Sequence, residues 1–518
     1  MAGAAAQAAS NTSKGSALPC VEPKGEAPCP EGLIRIGIFF DGTNNNMFRD
    51  WGATNEARMS GELTKPKDKK KKESDVNGPS NVAKLYELFK EEPPLQRKVY
   101  LVGIGGGDEN SQAGDGGNYA AQGTGAGGRA RVDRGMDELK TFVNTGNHQK
   151  ATEKRVDVFG FSRGAALARD FVNKVNGSGI DNTAEWKGEY KTEYIATEAG
   201  AIPVRVKAYK RTTGILFEFM GIFDTVASFG LGAFSKWGNA AAGYNMNVPG
   251  RPADKKKTPD EVLAAEEVKE KEQWVHRTFH AIAEDEYREM FPIDVLGLDP
   301  KTGEYLRLPK YLRERPYPGC HSDIGGGYRY TPFVPEGPPK YVPVGDFGGV
   351  VEVPGDPEIP EKFPYLCNIP LEDMHAEALL GHVPLNDLTA IPESVRKVPK
   401  DLRDLYNTYL TERATIFRTH LANLPKYSDY VKNMETDPVY LQAIPEKVFQ
   451  KIQKARLSSP GYQGLALNYI HDSNTGALWG ITGFLKRVTN WTRTFKSQRG
   501  VNFRAPQNSY DPESKDVK

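Results

Sequence analysis

The sequence predicts an α/β fold, a mostly parallel sheet flanked by helices, with long insertions and a helical region towards the C-terminus. Two observations predict it. First, apolar runs of strand length at residues 34–40, 99–104 and 156–159 alternate with helical patterns at 82–89 and 131–142. Alternation of this kind builds parallel strands joined by right-handed crossovers. Second, the third run enters Gly160-Phe161-Ser162-Arg163-Gly164 and leaves it through the small helix-forming residues Ala165-Ala166-Leu167-Ala168. Strand, tight glycine turn and helix are the setting in which G-x-S-x-G becomes a nucleophile elbow, a strained turn that lifts a serine hydroxyl above the sheet. In a chain with 53 glycines the pentapeptide alone is weak, and its flanks carry the catalytic reading. The competing reading is a serine that only caps the helix.

Taken in order, residues 1–32 are rich in Ala, Ser, Pro and Gly and are read as a disordered segment. Residues 33–390 are assigned to an α/β-hydrolase catalytic domain with insertions at 46–79, 230–275 and 331–364. Residues 391–518 are assigned to a helical cap or C-terminal region that has membrane or partner binding open to it. The strand at 34–40 ends in Asp41-Gly42-Thr43-Asn44-Asn45, a loop signal. The insertion after it carries Lys65, Lys67 and the run Lys69 to Lys72. Ser80 and Asn81 can cap the helix at 82–89. Beyond the elbow, 215–223 is another buried strand, ending at Asp224-Thr225. The charged stretch 250–275 reads as a solvated helix, 278–291 as a helix of mixed polarity and 331–364 as irregular and proline-rich. From about 392 to 457 the pattern is helical, with Leu402, Leu405, Tyr406, Leu410, Ile416 and Phe417 on its apolar side. The apolar segment 465–470 reads as a strand.

A serine nucleophile needs a base, and the base needs an orienting acid. The α/β-hydrolase chain order is serine, then Asp or Glu, then histidine. Ser162 is the nucleophile, and Asp224 fits the acid because it follows an apolar strand; a turn cap is its competing role. Two histidines fit the base. His321 lies in a glycine-flanked loop, Pro318-Gly-Cys-His-Ser-Asp-Ile-Gly-Gly-Gly-Tyr328, and His471 follows the apolar segment 465–470. Residue pattern alone leaves both open. Asp323 is either an alternative acid or a residue that holds loop geometry. The other six histidines lie in helical or polar surroundings and read as structural. The backbone N–H of Arg163 points at a developing oxyanion. The second oxyanion loop follows the strand two before the elbow strand, which gives Gly42, Thr43 and Asn44 as N–H donors.

Composition narrows the function. The 518 residues hold 68 Lys and Arg against 67 Asp and Glu, a net charge of +1 that argues against a nucleic-acid-binding surface. The mean hydropathy is −0.57, and no run of 18 apolar residues predicts a spanning helix. The N-terminus lacks the charged and apolar regions of a Sec signal. The four cysteines, Cys20, Cys29, Cys320 and Cys367, form no zinc spacing, although a Cys20–Cys29 disulfide after export stays open. The glycine-rich segment 103–128 lacks G-x-x-x-x-G-K-[ST], so it is no P-loop. Asp108 and Asp115 are weak calcium candidates, and no metal or cofactor is expected.

Six segments in fixed order resemble a known family: Phe39-Phe-Asp-Gly-Thr43, Ser80-Asn-Val-Ala-Lys-Leu-Tyr86, Gly160-Phe-Ser-Arg-Gly-Ala165, Gly221-Ile-Phe-Asp-Thr-Val226, His280-Ala-Ile-Ala-Glu-Asp-Glu286 and Gly319-Cys-His-Ser-Asp-Ile-Gly-Gly326. The chain resembles, over roughly 34–384, the α/β-hydrolase catalytic domain of the type VI secretion lipase effectors. The resemblance implies Ser162 as nucleophile, Asp224 as acid and His321 as base. It also implies an antibacterial phospholipase acting on membrane phospholipids, a cognate immunity protein, and a type VI spike or tube protein as carrier. The expected route is synthesis in the bacterial cytoplasm, type VI delivery to the target cell periplasm, and peripheral membrane contact. The loop with Lys69–Lys72 and the stretch 230–275 are longer than the family leads one to expect.

Two features of the chain bear on lipid directly. The lysine run lies on the active-site edge of the sheet, where anionic head groups are attracted by ~1 kcal/mol per lysine; a solvated loop is the plainer reading. Leu478, Ile481, Leu485, Val488 and Phe495 recur at helical spacing with Lys486, Arg487, Arg493 and Lys496 between them. That pattern fits an interfacial helix, and fits still better a stripe packed on its own domain. The rival functions are a soluble carboxylesterase or lipase with no toxin role, and a non-catalytic hydrolase-fold adaptor.

Overall fold

Six strands form one parallel sheet in the computed structural model, which describes residues 32–61, 77–107, 127–197, 200–212, 215–227, 244, 275–286, 291, 293–296, 312–328, 342–344, 349–351, 363–422 and 446–471. Strand β1 (Leu33–Phe40) is followed by helix α1 (Asn81–Leu88) and strand β2 (Gln96–Leu101). Then come α2 (Gly128–Asn144), β3 (Glu153–Phe161) and α3 (Arg163–Ser178). An antiparallel hairpin, β4 (Ile180–Thr197) with β5 (Gly200–Thr212), precedes β6 (Ile215–Phe223), β7 (Val275–Ala283) and β8 (Leu312–Tyr317). The sheet order is β2-β1-β3-β6-β7-β8. The chain starts inside the sheet, steps out to β2, and returns past β1 to β3. The reversal puts a crevice at the C-terminal ends of β1 and β3, where open α/β sheets take their ligands.

Both sheet faces are covered, so the strands are buried along nearly their whole length and turn side chains into a core on each face. Ile36, Ile38, Phe40, Val156 and Val158 pack with Leu139 of α2 and Phe171 and Val172 of α3. Phe39, Phe159, Phe161 and Phe219 join a second cluster on the other face. That cluster takes Leu85 from α1 and Met374 from α5 (Asn368–Leu380), which follows the five-residue α4 (His321–Gly325). It also takes Leu402 and Tyr406 from α6 (Lys400–Leu421) and Leu465 from α8 (Pro460–Asn468), the helix after α7 (Glu446–Leu457). The C-terminal helices thus share a core with the sheet.

The structure corrects several readings. Residues 278–283, expected in a helix, lie in β7, with Thr278 to Ala283 buried between β6 and β8. His280 misleads the periodicity, because a buried histidine inside a strand has its polar partners on neighbouring strands. Residues 465–468, expected in a strand, belong to α8: Ser459 caps it, its Oγ accepting the Tyr462 N–H at 3.4 Å, and Pro460 starts it. The β4–β5 hairpin has no counterpart in the sequence reading. Inside the segment read as irregular, β9 (Val342–Val344) and β10 (Gly349–Val351) form an antiparallel pair. Residues 1–31, Lys65 to Lys72, Asp108, Asp115, 250–274 and the 478–496 stripe lie outside the described residues. Among the described residues no helix is long and apolar enough to cross a membrane.

Candidate active site

Ser162 stands between β3 and α3 with φ 58° and ψ −127°, a strained backbone for a residue with a side chain. Its side chain makes no capping hydrogen bond to α3, which removes the helix-cap reading. The two motif glycines allow the turn by close approach. A Cβ on Gly164 would lie 2.3 Å from the carbonyl oxygens of Phe40 and Asp41, and one on Gly160 would lie 2.6 Å from Ala165 Cα. The end of β1 is therefore pressed against the start of α3. The Ser162 N–H donates to the Phe223 carbonyl at 3.0 Å, and the Val226 N–H donates to the Ser162 carbonyl at 3.2 Å. These bonds lash the elbow to the Asp224 turn.

Asp224 follows β6 with φ 41°, and its Oδ2 lies 2.5 Å from Nδ1 of His321, the first residue of α4. The contact is buried, with Asp224 0% and His321 4% exposed. The imidazole packs on Phe161, the residue before Ser162, at 4.7 Å between ring centres, and on Phe291 at 4.9 Å. The structure thus gathers Ser162, Asp224 and His321 at one sheet edge. Ser162 is itself only 3% exposed, so the elbow is recessed among its neighbours.

Strand β7 lies between the strands that carry Asp224 and His321, and its end holds both. The Ala283 N–H donates to Asp224 Oδ1 at 2.9 Å, and the Asp224 N–H donates to the Ala281 carbonyl at 2.7 Å. His280 takes the Thr225 N–H on Nε2 at 3.1 Å; because that N–H can only donate, the proton of this imidazole sits on Nδ1 and faces Glu314 at 2.8 Å. Asp285 accepts the Gly319 N–H at 2.7 Å, and Glu286 accepts the His321 N–H at 3.1 Å. Sequence reasoning set His280 aside as structural and gave the acids after it no role. The only signal was their place in one of the six resembling segments.

The loop after β1 corrects two of the expected donors. The Gly42 N–H is taken by its neighbour, Asp41 Oδ1, at 2.7 Å, and the Asn44 N–H by the Ile104 carbonyl at 2.8 Å. The first is taken within the loop and the second by the segment after β2, whereas Thr43 N–H makes no such bond among the described residues. The Thr43 Oγ1 is buried without a partner. Asp41 also accepts from Ser80 Oγ at 2.8 Å and from the Tyr100 hydroxyl, and burial raises its carboxyl to about 6 despite these donors. Arg163 is buried too, and desolvation pulls its guanidinium down to about 10. Asn81 at the start of α1 donates to the carbonyls of Ile324 at 2.9 Å and Cys367 at 2.8 Å, tying α1 to the end of α4.

The structure pairs His471 with a different acid. Its Nδ1 lies 2.6 Å from Asp323 Oδ1, and its N–H donates to Asp323 Oδ2 at 3.0 Å. Asp323 Oδ2 also accepts the Cys320 N–H at 3.0 Å, so this carboxylate holds loop geometry and does not orient His321. Cys320 and Cys367 are buried thiols outside any disulfide. Among the described residues no group of three or more His, Cys, Asp or Glu is placed to hold a metal ion.

A family model for the catalytic domain of Tle1-like phospholipase effectors of the type VI secretion system matches residues 35–334. Among solved structures, an uncharacterized protein from Pseudomonas aeruginosa is similar at 19% identity and a TM-score of 0.40, over 85% of this chain; the chain spans 63% of that protein's length. The Tle1 effector bound to the VgrG spike of the type 6 secretion system is similar at 20% identity and a TM-score of 0.41, over 82% of this chain and 84% of that one. No curated protein matches.

Proposed function

The chain belongs to the Tle1-like phospholipase effectors of the type VI secretion system, and from that premise we propose that it hydrolyses fatty-acyl esters of membrane glycerophospholipids by serine catalysis. The carrying observation is the buried Asp224–His321 contact of 2.5 Å beside the Ser162 elbow. Ser162 Oγ attacks the acyl carbonyl while His321 Nε2 takes its proton. Asp224 holds the Nδ1–H tautomer and stabilises the imidazolium. The N–H groups of Arg163 and Thr43 bind the oxyanion. His321 returns the proton to the departing glycerol oxygen, the lysophospholipid leaves, and water releases the fatty acid from the acyl-enzyme. Because Ser162 and His321 are 3% and 4% exposed, an opening step precedes acylation. Family membership supports a type VI spike or tube protein as carrier, an immunity protein as partner, and the target periplasm as the place of action.

The test is fatty-acid and lysophospholipid release from mixed phospholipid vesicles. The wild type releases both. Ser162→Ala and His321→Ala each lose at least ~10³-fold, and Asp224→Asn loses roughly 10³–10⁴-fold, with unchanged thermal midpoints. Activity on a short soluble ester without vesicle hydrolysis supports a carboxylesterase instead. Failure of fluorophosphonate to label Ser162 supports a non-catalytic adaptor.

A further inference from the structure

The backbone of the His321 turn hangs on three buried carboxylates. Asp285 and Glu286, in the segment just after β7, accept the Gly319 and His321 N–H groups at 2.7 and 3.1 Å. The third, Asp323, lies inside the turn and accepts the Cys320 N–H at 3.0 Å. Asp323 is 1% exposed, and a buried carboxylate with a single donor is costly. Its further donors come from a distant part of the chain. His471 gives its N–H to Oδ2 at 3.0 Å and sets Nδ1 2.6 Å from Oδ1. An ionised carboxylate can only accept, so the His471 proton sits on Nδ1. The His471 ring also stacks on Tyr328, with centres 3.9 Å apart and planes at 20°. The Tyr328 hydroxyl in turn lies 3.1 Å from Cys320 Sγ, so the clamp closes on the residue next to His321.

We infer that His471, acting through Asp323, is a positioning residue for the catalytic base, and that the active site is completed from outside the segment 35–334 that the family model matches. The inference rests on the reading of His321 as base. His321 meets Asp224 only if the first turn of α4 is held in register, and Asp323 is the third residue of that turn. Releasing the Asp323 carboxylate lets the turn relax and carries the imidazole away from Asp224 and Ser162. A displacement of about 1 Å at a catalytic group costs on the order of 10²-fold in rate. Substrate binding is left nearly as it was, because His471 does not touch the reacting atoms in this role.

The experiment uses the full chain with His471→Ala, His471→Asn, Asp323→Asn and His321→Ala. It measures kcat and KM on a p-nitrophenyl ester of short chain, the rate of fluorophosphonate labelling, and the thermal midpoint. We expect His471→Ala and Asp323→Asn to lower kcat and the labelling rate by about 10- to 100-fold, with KM within roughly twofold. His471→Asn, whose amide can reach Asp323, recovers most of the loss. His321→Ala loses all activity, and if it does not, the assignment of the base fails independently of the His471 result. Wild-type kcat in His471→Ala overturns the inference. So does a loss equal to that of His321→Ala with no recovery by asparagine, which makes His471 itself the base. A fall in kcat that tracks a fall in thermal midpoint across the variants also overturns it. Should the alanine variant not fold, His471→Asn against Asp323→Asn decides: the first must keep kcat and the second must lose it.

Discussion

Asp41 opens the loop expected to supply oxyanion donors, and its carboxylate consumes one of them. A carboxylate with 3% exposure needs hydrogen bonds, and it takes them from the Gly42 N–H, Ser80 and Tyr100. Their supply does not offset burial, which lifts the carboxyl from 3.8 to about 6. Below about pH 4 the group is protonated in both states. Between about 4 and 6 the folded protein keeps a proton that the unfolded chain releases, so stability falls as pH rises through this window and then stays level. A shift of about two units is worth about 3 kcal/mol. Asn at this position keeps the shape without the charge, and the hydroxyls of Ser80 and Tyr100 can turn to accept from its amide. Denaturant melts of the wild type and Asp41→Asn across this range should therefore diverge, the wild type losing about 3 kcal/mol relative to the variant between pH 4 and 6. A constant difference would mean that Asp41 is ionised throughout.

Strand β7 carries more of the site than any element the sequence reading placed. The residue pattern made the elbow legible, because strand, Gly160-Phe-Ser-Arg-Gly164 and helix are consecutive. Asp224 was legible for the same reason, as the residue after an apolar strand. The roles of β7 were not, because His280, Glu284, Asp285 and Glu286 find their partners on Thr225, Arg413, Gly319 and His321, all distant in sequence. The C-terminal helices reach this same strand end. Arg456 of α7 lies 2.6 Å from Asp285 and 3.6 Å from Glu284, while Arg413 of α6 lies 2.8 Å from Glu284. Burial works against Glu284, yet the two guanidiniums leave its carboxyl below its usual value; at Asp285 burial wins and the carboxyl is raised. Removing one member of a buried pair leaves an uncompensated charge, so Arg456→Met should cost roughly 3–5 kcal/mol in urea melts. Asp285→Asn added to Arg456→Met should recover a good part of that loss, because no carboxylate is then stranded at 285 and Glu284 keeps Arg413. Additive losses in the double variant would show that the pair does not couple.

At the scale of the whole molecule the sheet has two coverings of different origin. Helices α2 and α3 cover one face and come from between the strands, so strand–helix alternation was enough to predict them. The other face is covered by α1, α5, α6 and α8. Three of these follow the last sheet strand, and nothing in local periodicity says onto which surface a late helix folds. For that reason 391–518 read as a cap or a separate region, while Leu402, Tyr406 and Leu465 pack with Phe39, Phe161 and Phe219 of the sheet. A fragment ending at 334 would keep α1 but strip the other three helices from that face. Leu371, Met374, Leu402 and Leu465 alone, at ~1.5–3 kcal/mol each for a large buried side chain, amount to roughly 6–12 kcal/mol. That is comparable to the ~5–15 kcal/mol stability of a whole domain. The fragment 32–334 is therefore expected to lack cooperative unfolding, to bind a hydrophobic dye, and to give no fluorophosphonate label at Ser162. Co-expression with 363–518 should restore a soluble, labelled complex. A fragment that unfolds cooperatively and labels at the wild-type rate would show that the C-terminal helices are dispensable to the sheet, and the second core would then have to be read as an interface between two independent units.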